Sequence, residues 1–301
     1  MNLAFVKKIF FSKNISLLIP FALVAILFVI VPAALILIFA FTPVNSQSNS
    51  GDNFAVIDDF LLEKIFSSLW IACVTVIICI LFAYPLCYFL SSSNNLVFRS
   101  TVMLLLTAPM WCSVLVKLIG IKSFFDIVNG CINSTYGDIY SIIGLVYIFF
   151  PFILVPLYSC LTSMPKSFIQ ASQDLGYNMF RTFFNVVIPY TKTSLISGMS
   201  LVFLPCFTTV AVPQFLNNAN NNELIGDIIF QVGSAGITNN AQLVIASALS
   251  IIVVFVAFVF WFFIRVIPFA ITFFRQAKWK WLRIVIKEKW NWLLSTINER
   301  R

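Results

Sequence analysis

The chain has 301 residues, 60% hydrophobic and 10% charged, with a formal net charge of +8 and a mean hydropathy of +0.98. Soluble domains carry about 45–50% apolar and about 25% charged residues, so a water-soluble globular domain is excluded. The apolar residues fall in blocks of about 20 or more, long enough to cross a hydrocarbon core of about 30 Å as helices. The short alternating segments of a transmembrane barrel are not seen.

In chain order, Phe5-Val-Lys-Lys-Ile-Phe-Phe11 mixes cations with aromatics, as in a short interfacial helix. Six spans follow: Leu17–Phe41, Ile65–Leu90, Ser100–Ile121, Tyr140–Leu161, Thr193–Leu216 and Gln242–Phe269. The first is longer than a signal-peptide core and no small-x-small cleavage site follows it, so it is expected to persist as a span. Between spans, Thr42–Lys64, Lys122–Gly137 and the Asn-rich Asn217–Ala241 read as outer loops, and Ser91–Arg99 as a tight inner turn. Beyond the spans, Trp279, Leu282, Ile286, Trp290, Leu293 and Ile297 recur at helical spacing among lysines and arginines. Two readings fit this tail: a basic amphipathic helix on the inner leaflet, or a docking helix for another protein. The division is thus residues 1–16 as an interfacial segment, 17–269 as a six-span membrane domain and 270–301 as the tail.

Charge sets the orientation. Lys7, Lys8, Lys13, Arg99, Lys166, Arg181, Lys192 and the cations from Arg265 to Arg301 occupy every second segment. Asp52, Asp58, Asp59, Glu63, Asp126, Asp138, Glu223 and Asp227 lie in the others. By the positive-inside rule both termini are cytoplasmic. Topology and attraction to anionic inner-leaflet lipid account for the net positive charge, and no nucleic-acid partner is expected. The acidic outer face would favour a cationic ligand.

Chemistry is sparse. There is no phosphate-loop motif, no G-x-S-x-G and no H-E-x-x-H, and the chain contains no histidine. Its seven cysteines show no C-x-x-C spacing; most lie in or beside spans as small apolar residues, and only Cys131 is clearly in an outer loop. No cofactor or metal is therefore expected on this chain. No Asp or Glu lies inside a span and Lys117 is the one deep cation, so the ionisable path of an ion-coupled carrier is lacking. Prolines recur in the spans, as static kinks or, in the sharper reading, as a gate at Pro109-Met-Trp111 and Pro205–Pro213.

One polar stretch stands apart, between spans 4 and 5. Met164-Pro165-Lys166-Ser167 reads as a helix start. Phe168–Leu175 can form two turns, and Gly176 permits the left-handed residue that ends them. A second helical stretch, Tyr177–Ile188, leads to Pro189 and span 5. The small Ala171 and Ser172 would let a partner backbone approach, while Phe168, Tyr177 and Phe180 could fill a pocket on it.

This stretch resembles the cytoplasmic coupling loop of bacterial ABC importer permeases, whose pattern is E-A-A, three residues, G, nine residues, I-x-L-P. Here Gln170-Ala171-Ser172 is followed after three residues by Gly176 and after nine more by Val186-Val187-Ile188-Pro189. Gln170 stands where the family usually has Glu, and Ser172 where it usually has Ala. Ala83-Tyr-Pro-Leu-Cys-Tyr-Phe-Leu90, Ala108-Pro-Met-Trp-Cys-Ser-Val-Leu-Val-Lys117 and Ile143-Gly-Leu-Val-Tyr-Ile-Phe-Phe-Pro-Phe-Ile-Leu-Val-Pro-Leu-Tyr158 are similar to the second, third and fourth spans of the spermidine/putrescine permeases. The likeness runs from Leu17 to Ile267 and leaves out the tail.

The resemblance implies an all-α, six-span type I ABC importer permease fold and transport by alternating access. It implies a second homologous permease, two cytoplasmic ABC ATPases that bind ATP and Mg, and an extracytoplasmic polyamine-binding protein. The ATPase-coupling candidates are Lys166, Phe168, Gln170, Ala171, Ser172, Asp174, Gly176, Tyr177, Phe180 and Pro189, within 163–192. A polycation is held by aromatic faces and carboxylates, so the candidate substrate path is Trp111, Tyr147 and Tyr158 with Glu223 and Asp227. A passive channel or secondary carrier for a small cation is the competing reading, and an integral membrane enzyme the third.

Overall fold

A computed structural model describes residues 19–43, 52–54, 58–129, 137–216, 223–236 and 238–266. The interfacial segment, the Trp-rich tail, Cys131 and the Asn217–Asn222 cluster lie outside them. The described residues are helical, without strands. Helix α1 is Pro20–Phe41 and α2 is Asp59–Ser92. Next come α3 (Leu96–Thr107), α4 (Val114–Asn129), α5 (Asp138–Ser163) and the short α6 (Lys166–Asp174). They are followed by α7 (Met179–Phe207), α8 (Ala211–Leu216), α9 (Ile225–Ala235) and α10 (Asn240–Val266).

Helices α2, α5 and α7 pack on one another around Ile71, Val76, Leu145, Leu154, Leu157, Val202 and Phe203. Helix α10 joins them: the Phe203 and Phe260 rings stack at 4.7 Å, and Trp261 Nε1 donates to Ser200 Oγ at 3.0 Å. In lipid the drive for such packing is close contact rather than escape from water. Fully buried Ala72, Ala83 and Gly198 supply it by letting backbones approach. Helix α1 stands apart. No residue in its most apolar window is buried by this chain, against 39% in α2, α5 and α10.

Two spans differ from the sequence expectation. The third is not one rod over Ser100–Ile121: Leu96–Trp111 and Val114–Val128 meet at 101°. Pro109 lies in a tight 3-10 turn, Ala108–Trp111, and Cys112 leaves it extended. Removing a donor and fixing φ there makes a corner cheaper than a straight helix. The fifth span starts earlier and stops sooner than Thr193–Leu216: α7 ends at Phe207, and α8 is separate after Thr208–Val210. All three expected outer loops are also partly helical, since α2 already begins at Asp59, α4 extends to Asn129 and α9 occupies Ile225–Ala235.

Two π-turns share a cause. Ile26–Ile30 and Phe183–Val187 each end two residues before a proline, Pro32 and Pro189. A proline ring collides with the carbonyl four residues back in a regular helix. The wider turn relieves the collision, with Val31 N–H reaching Ile26 O and Ile188 N–H reaching Phe183 O. The expected second helical stretch is thus continuous with span 5 through Pro189, and begins at Met179 rather than Tyr177.

Candidate functional site

The polar stretch folds as a capped helix fastened at both ends. Pro165 is the extended N-cap and α6 begins at Lys166, so the N–H that Pro165 lacks is not one the helix needs. At the other end Gly176 has φ +78°. Gly176 N–H donates to Gln173 O at 2.8 Å, and Tyr177 N–H to Ser172 O at 3.1 Å. Those two bonds form a Schellman cap, which needs the left-handed residue that glycine adopts without strain. A Cβ at Gly176 would meet nothing within 4 Å, so the constraint there is backbone angle and not space.

Ser172 corrects one expectation. Its side chain is buried and turned into the loop, not offered to a partner. Ser172 Oγ donates to Ile169 O at 2.7 Å, which leaves it to accept from the Thr182 hydroxyl at 2.9 Å. A serine in place of alanine therefore ties α6 to the first turn of α7. Ala171, Gln170, Asp174, Tyr177 and Phe180 are exposed on the loop's surface. Phe168 is about half exposed, its ring 6.0 Å from that of Tyr190.

Below the loop, Phe183 sits edge-on to Tyr84 at 5.0 Å and to Tyr88 at 5.4 Å. Tyr84 Oη and Thr191 Oγ1 are hydrogen-bonded, and both residues are buried. Edge-to-face aromatic pairs add about 0.5–1.5 kcal/mol beyond their burial. α7 is thus pinned to α2 at the start of the π-turn and again beyond it, at Thr191. Phe180 stands at the rim of an apolar groove formed with Pro85, Tyr88, Phe183 and Phe184.

The substrate-path candidates do not converge. Tyr158 belongs to the same end as α6: its Oη accepts from Arg99 Nε at 3.2 Å, and the guanidinium lies 5.7 Å from its ring centroid. Arg99 Nη2 also donates to Thr162 Oγ1 at 3.1 Å. Asp227 and Glu223 lie at the opposite end, where Ile225 N–H donates to Ser68 Oγ at 2.9 Å. Ser68 and Tyr88 are separated along α2 by roughly 30 Å at 1.5 Å per residue. Trp111 is 74% exposed at the corner of the broken span, and Tyr147 is 46% exposed on α5. Lys117 is buried in α4 rather than reaching the surface.

At the Asp227 end, α9 is held by close approach. A Cβ on Gly226 would lie 2.6 Å from the carbonyl oxygens of Thr208 and Thr209, so only glycine lets α9 rest on the break after α7. Asp227 is buried there and accepts from Gln214 Nε2. Burial pushes its carboxyl above the ordinary range, the Gln214 bond opposes this, and nearby Glu223 adds to it. Glu223 accepts from Gln231 Nε2 at 3.0 Å. Among the described residues, no group of acidic, histidine or cysteine side chains is arranged to hold a metal ion. The Ser172–Thr182 and Arg99–Tyr158–Thr162 contacts were missed in sequence because they join residues that no local pattern links.

Residues 76–272 match the family described as the binding-protein-dependent transport system inner membrane component. The chain is 37% identical over 282 residues to the spermidine/putrescine transport system permease protein PotB homolog of Mycoplasma genitalium, covering 89% of this chain and 97% of that relative. To PotB of Escherichia coli K12 it is 31% identical over 192 residues, 59% of this chain and 69% of the relative. In structure it is similar to a chain of a bacterial ABC transporter involved in the import of the acidic polysaccharide alginate. The TM-score is 0.69 at 14% identity, covering 84% of this chain and 93% of that one. A second crystal structure, of the alginate transporter with its alginate pentasaccharide-bound periplasmic protein, gives 0.64 at 14% identity over 83% and 91%. The fold is that of an ABC importer permease, and the chain is a multi-pass membrane protein belonging to the binding-protein-dependent transport system inner membrane component family.

Proposed function

We propose that this chain forms half of the path by which an ATP-driven importer takes up polyamines, spermidine or putrescine. The observation that carries the substrate class is its 37% identity, along 89% of its length, to a relative named for spermidine/putrescine transport. ATP and Mg are held by two cytoplasmic ATPases, an extracytoplasmic protein delivers the polyamine, and a second permease completes the path. The chain itself carries no ATPase site.

The coupling step rests on α6. ATP-driven closure of the ATPases moves the grooves in which Phe168–Phe180 sit. The Schellman cap and the Ser172–Thr182 bond keep that element rigid, and Phe183 and Thr191 pass its displacement to α2. Helix α1 supports a paired assembly: its apolar window is 0% buried within this chain, so it is free to pack on the second permease. The path itself draws on the exposed aromatics Trp111 and Tyr147 and on the outer carboxylates. Tyr158, already bonded to Arg99, would release substrate only after that contact opens.

The test is uptake of labelled spermidine and putrescine into vesicles holding the full complex, with and without ATP, the ATPases and the binding protein. ATP-dependent accumulation requiring every subunit is expected. Equal uptake by this chain alone would establish the passive channel or secondary carrier instead.

A further inference from the structure

A cavity of about 390 Å³, of mixed polar and apolar lining, lies between the end of α2, the start of α3, the end of α5 and α6. Arg99, Lys166, Asn94, Ser91, Ser92 and Gln170 line it, and none of its described lining residues is acidic. Both cations are held in place by neutral partners. Arg99 spends Nε and one Nη2 proton on Tyr158 and Thr162, while Lys166 Nζ donates to Asn94 Oδ1 at 3.0 Å. The remaining guanidinium and ammonium protons have no acceptor among these contacts. Two positive charges so placed attract an anion, and a fork of N–H donors beside an ammonium suits phosphate oxygens.

We propose that this cavity binds a phosphate group at the inner leaflet, supplied by an anionic phospholipid headgroup or by free phosphate. Membrane depth favours the lipid: Leu96 and Val97, 75% and 71% exposed, follow Asn95 directly and put apolar surface beside the cavity mouth. Basic pockets between membrane helices on this side bind acidic headgroups. The bound phosphate bridges Arg99 of α3 to Lys166, the first residue of α6, and so fixes the base of the coupling helix. Gln170 gains a reason at this point. A glutamate there would place a carboxylate in the cavity and compete with the anion, whereas the amide leaves the positive charge uncompensated.

The placement at the inner leaflet rests on the permease reading, but the test needs neither substrate nor ATPase, so the two can fail separately. The full-length chain in neutral detergent is titrated with short-chain phosphatidylglycerol or phosphatidylcholine, and bound lipids are counted by native mass spectrometry. Wild type should hold one more phosphatidylglycerol per chain than Arg99→Gln/Lys166→Gln, whose affinity at that site should fall at least tenfold. Gln170→Glu keeps both cations and should also weaken the site severalfold, with thermal unfolding confirming that each variant is folded. Displacement by millimolar inorganic phosphate assigns the site to free phosphate, and no displacement assigns it to the headgroup. Equal phosphatidylglycerol binding by wild type and both variants, with no response to phosphate, overturns the proposal.

Discussion

The two ends of the helical bundle solve opposite electrostatic problems by the same means. At the α6 end, Arg99 and Lys166 are held by Tyr158, Thr162 and Asn94. At the α9 end, Asp227 and Glu223 are held by Gln214 and Gln231. In each case neutral side chains position like charges without cancelling them. A salt bridge would have fixed the same groups and silenced their fields. The contrast leaves one end with uncompensated carboxylates and the other with uncompensated cations, each open to a ligand of opposite charge. The ends also differ in how they are tied: contacts near α6 join α2, α3, α5, α6 and α7, whereas α9 is held through Gly226 against the break after α7, Ser68 of α2 and Gln214 of α8.

The largest effect is expected at the α6 end from Gly176→Val. A β-branched residue held at φ +78° costs about 1–3 kcal/mol. It should therefore loosen the cap, not clash. Uptake in the complete transporter should fall about tenfold or more while ATP hydrolysis persists. Gly176→Asn, which tolerates the left-handed region, should retain most uptake. Equal loss in both variants would mean that the glycine is needed for something other than its angle.

At the α9 end, Asp227→Asn separates stability from transport. A carboxyl whose folded pKa is raised favours the protonated folded form. Its contribution is fully present below the ordinary carboxylate pKa of about 3.9 and is lost as pH rises through the raised folded value. At pH 7 the wild type bears that cost. Asparagine keeps an acceptor for Gln214 and removes the buried charge and its repulsion from Glu223. Thermal unfolding in detergent should occur at a higher temperature at pH 7 than in wild type, with less loss between pH 4 and pH 7. The KM for polyamine should rise severalfold at the same time. A variant neither stabilised nor weaker in uptake would remove Asp227 from the outer mouth.

A smaller effect is expected from Ser172→Ala, which restores the residue usual in the family. It strands the buried Thr182 hydroxyl and should cost about 1–3 kcal/mol. Adding Thr182→Val removes the stranded group and should recover much of that loss. Denaturation of the two variants and of Thr182→Val completes the cycle. Additive losses would show that the hydroxyls do not interact.

What was legible in the sequence follows the range of the forces involved. Span length and charge asymmetry are summed along contiguous segments, so the membrane class could be read directly, and the glycine ending α6 could be read because its cap is local. The corner at Trp111–Val114 was not legible, because Pro109 equally permits a kink or a full break and the choice lies with the packing of α4 on α5 and α8. The side on which Ser172 faces was hidden for a similar reason. Its partner, Thr182, lies ten residues on, and only the cap after Gly176 turns the chain back far enough for them to meet. Gln170 read only as a departure from the family's Glu; in the structure it lines a cavity together with two cations, Arg99 and Lys166, a placement that no local pattern reveals.

Trp111→Ala should change stability least of all and still inform the comparison between the ends. The indole is 74% exposed at the corner of the broken span, so its removal uncovers little of this chain's core and should shift unfolding by about 0.5 kcal/mol or less. Assembly with the partner subunits should be unaffected. A polycation travelling from the carboxylate end to the arginine end needs attractive surface between them, and an aromatic face attracts a desolvated ammonium by about 2 kcal/mol. If Trp111 is that surface, uptake should fall severalfold through KM, and Trp111→Phe should restore part of it. Loss of assembly in Trp111→Ala would place the indole at the contact with the second permease, and unchanged uptake would leave the path to run past it.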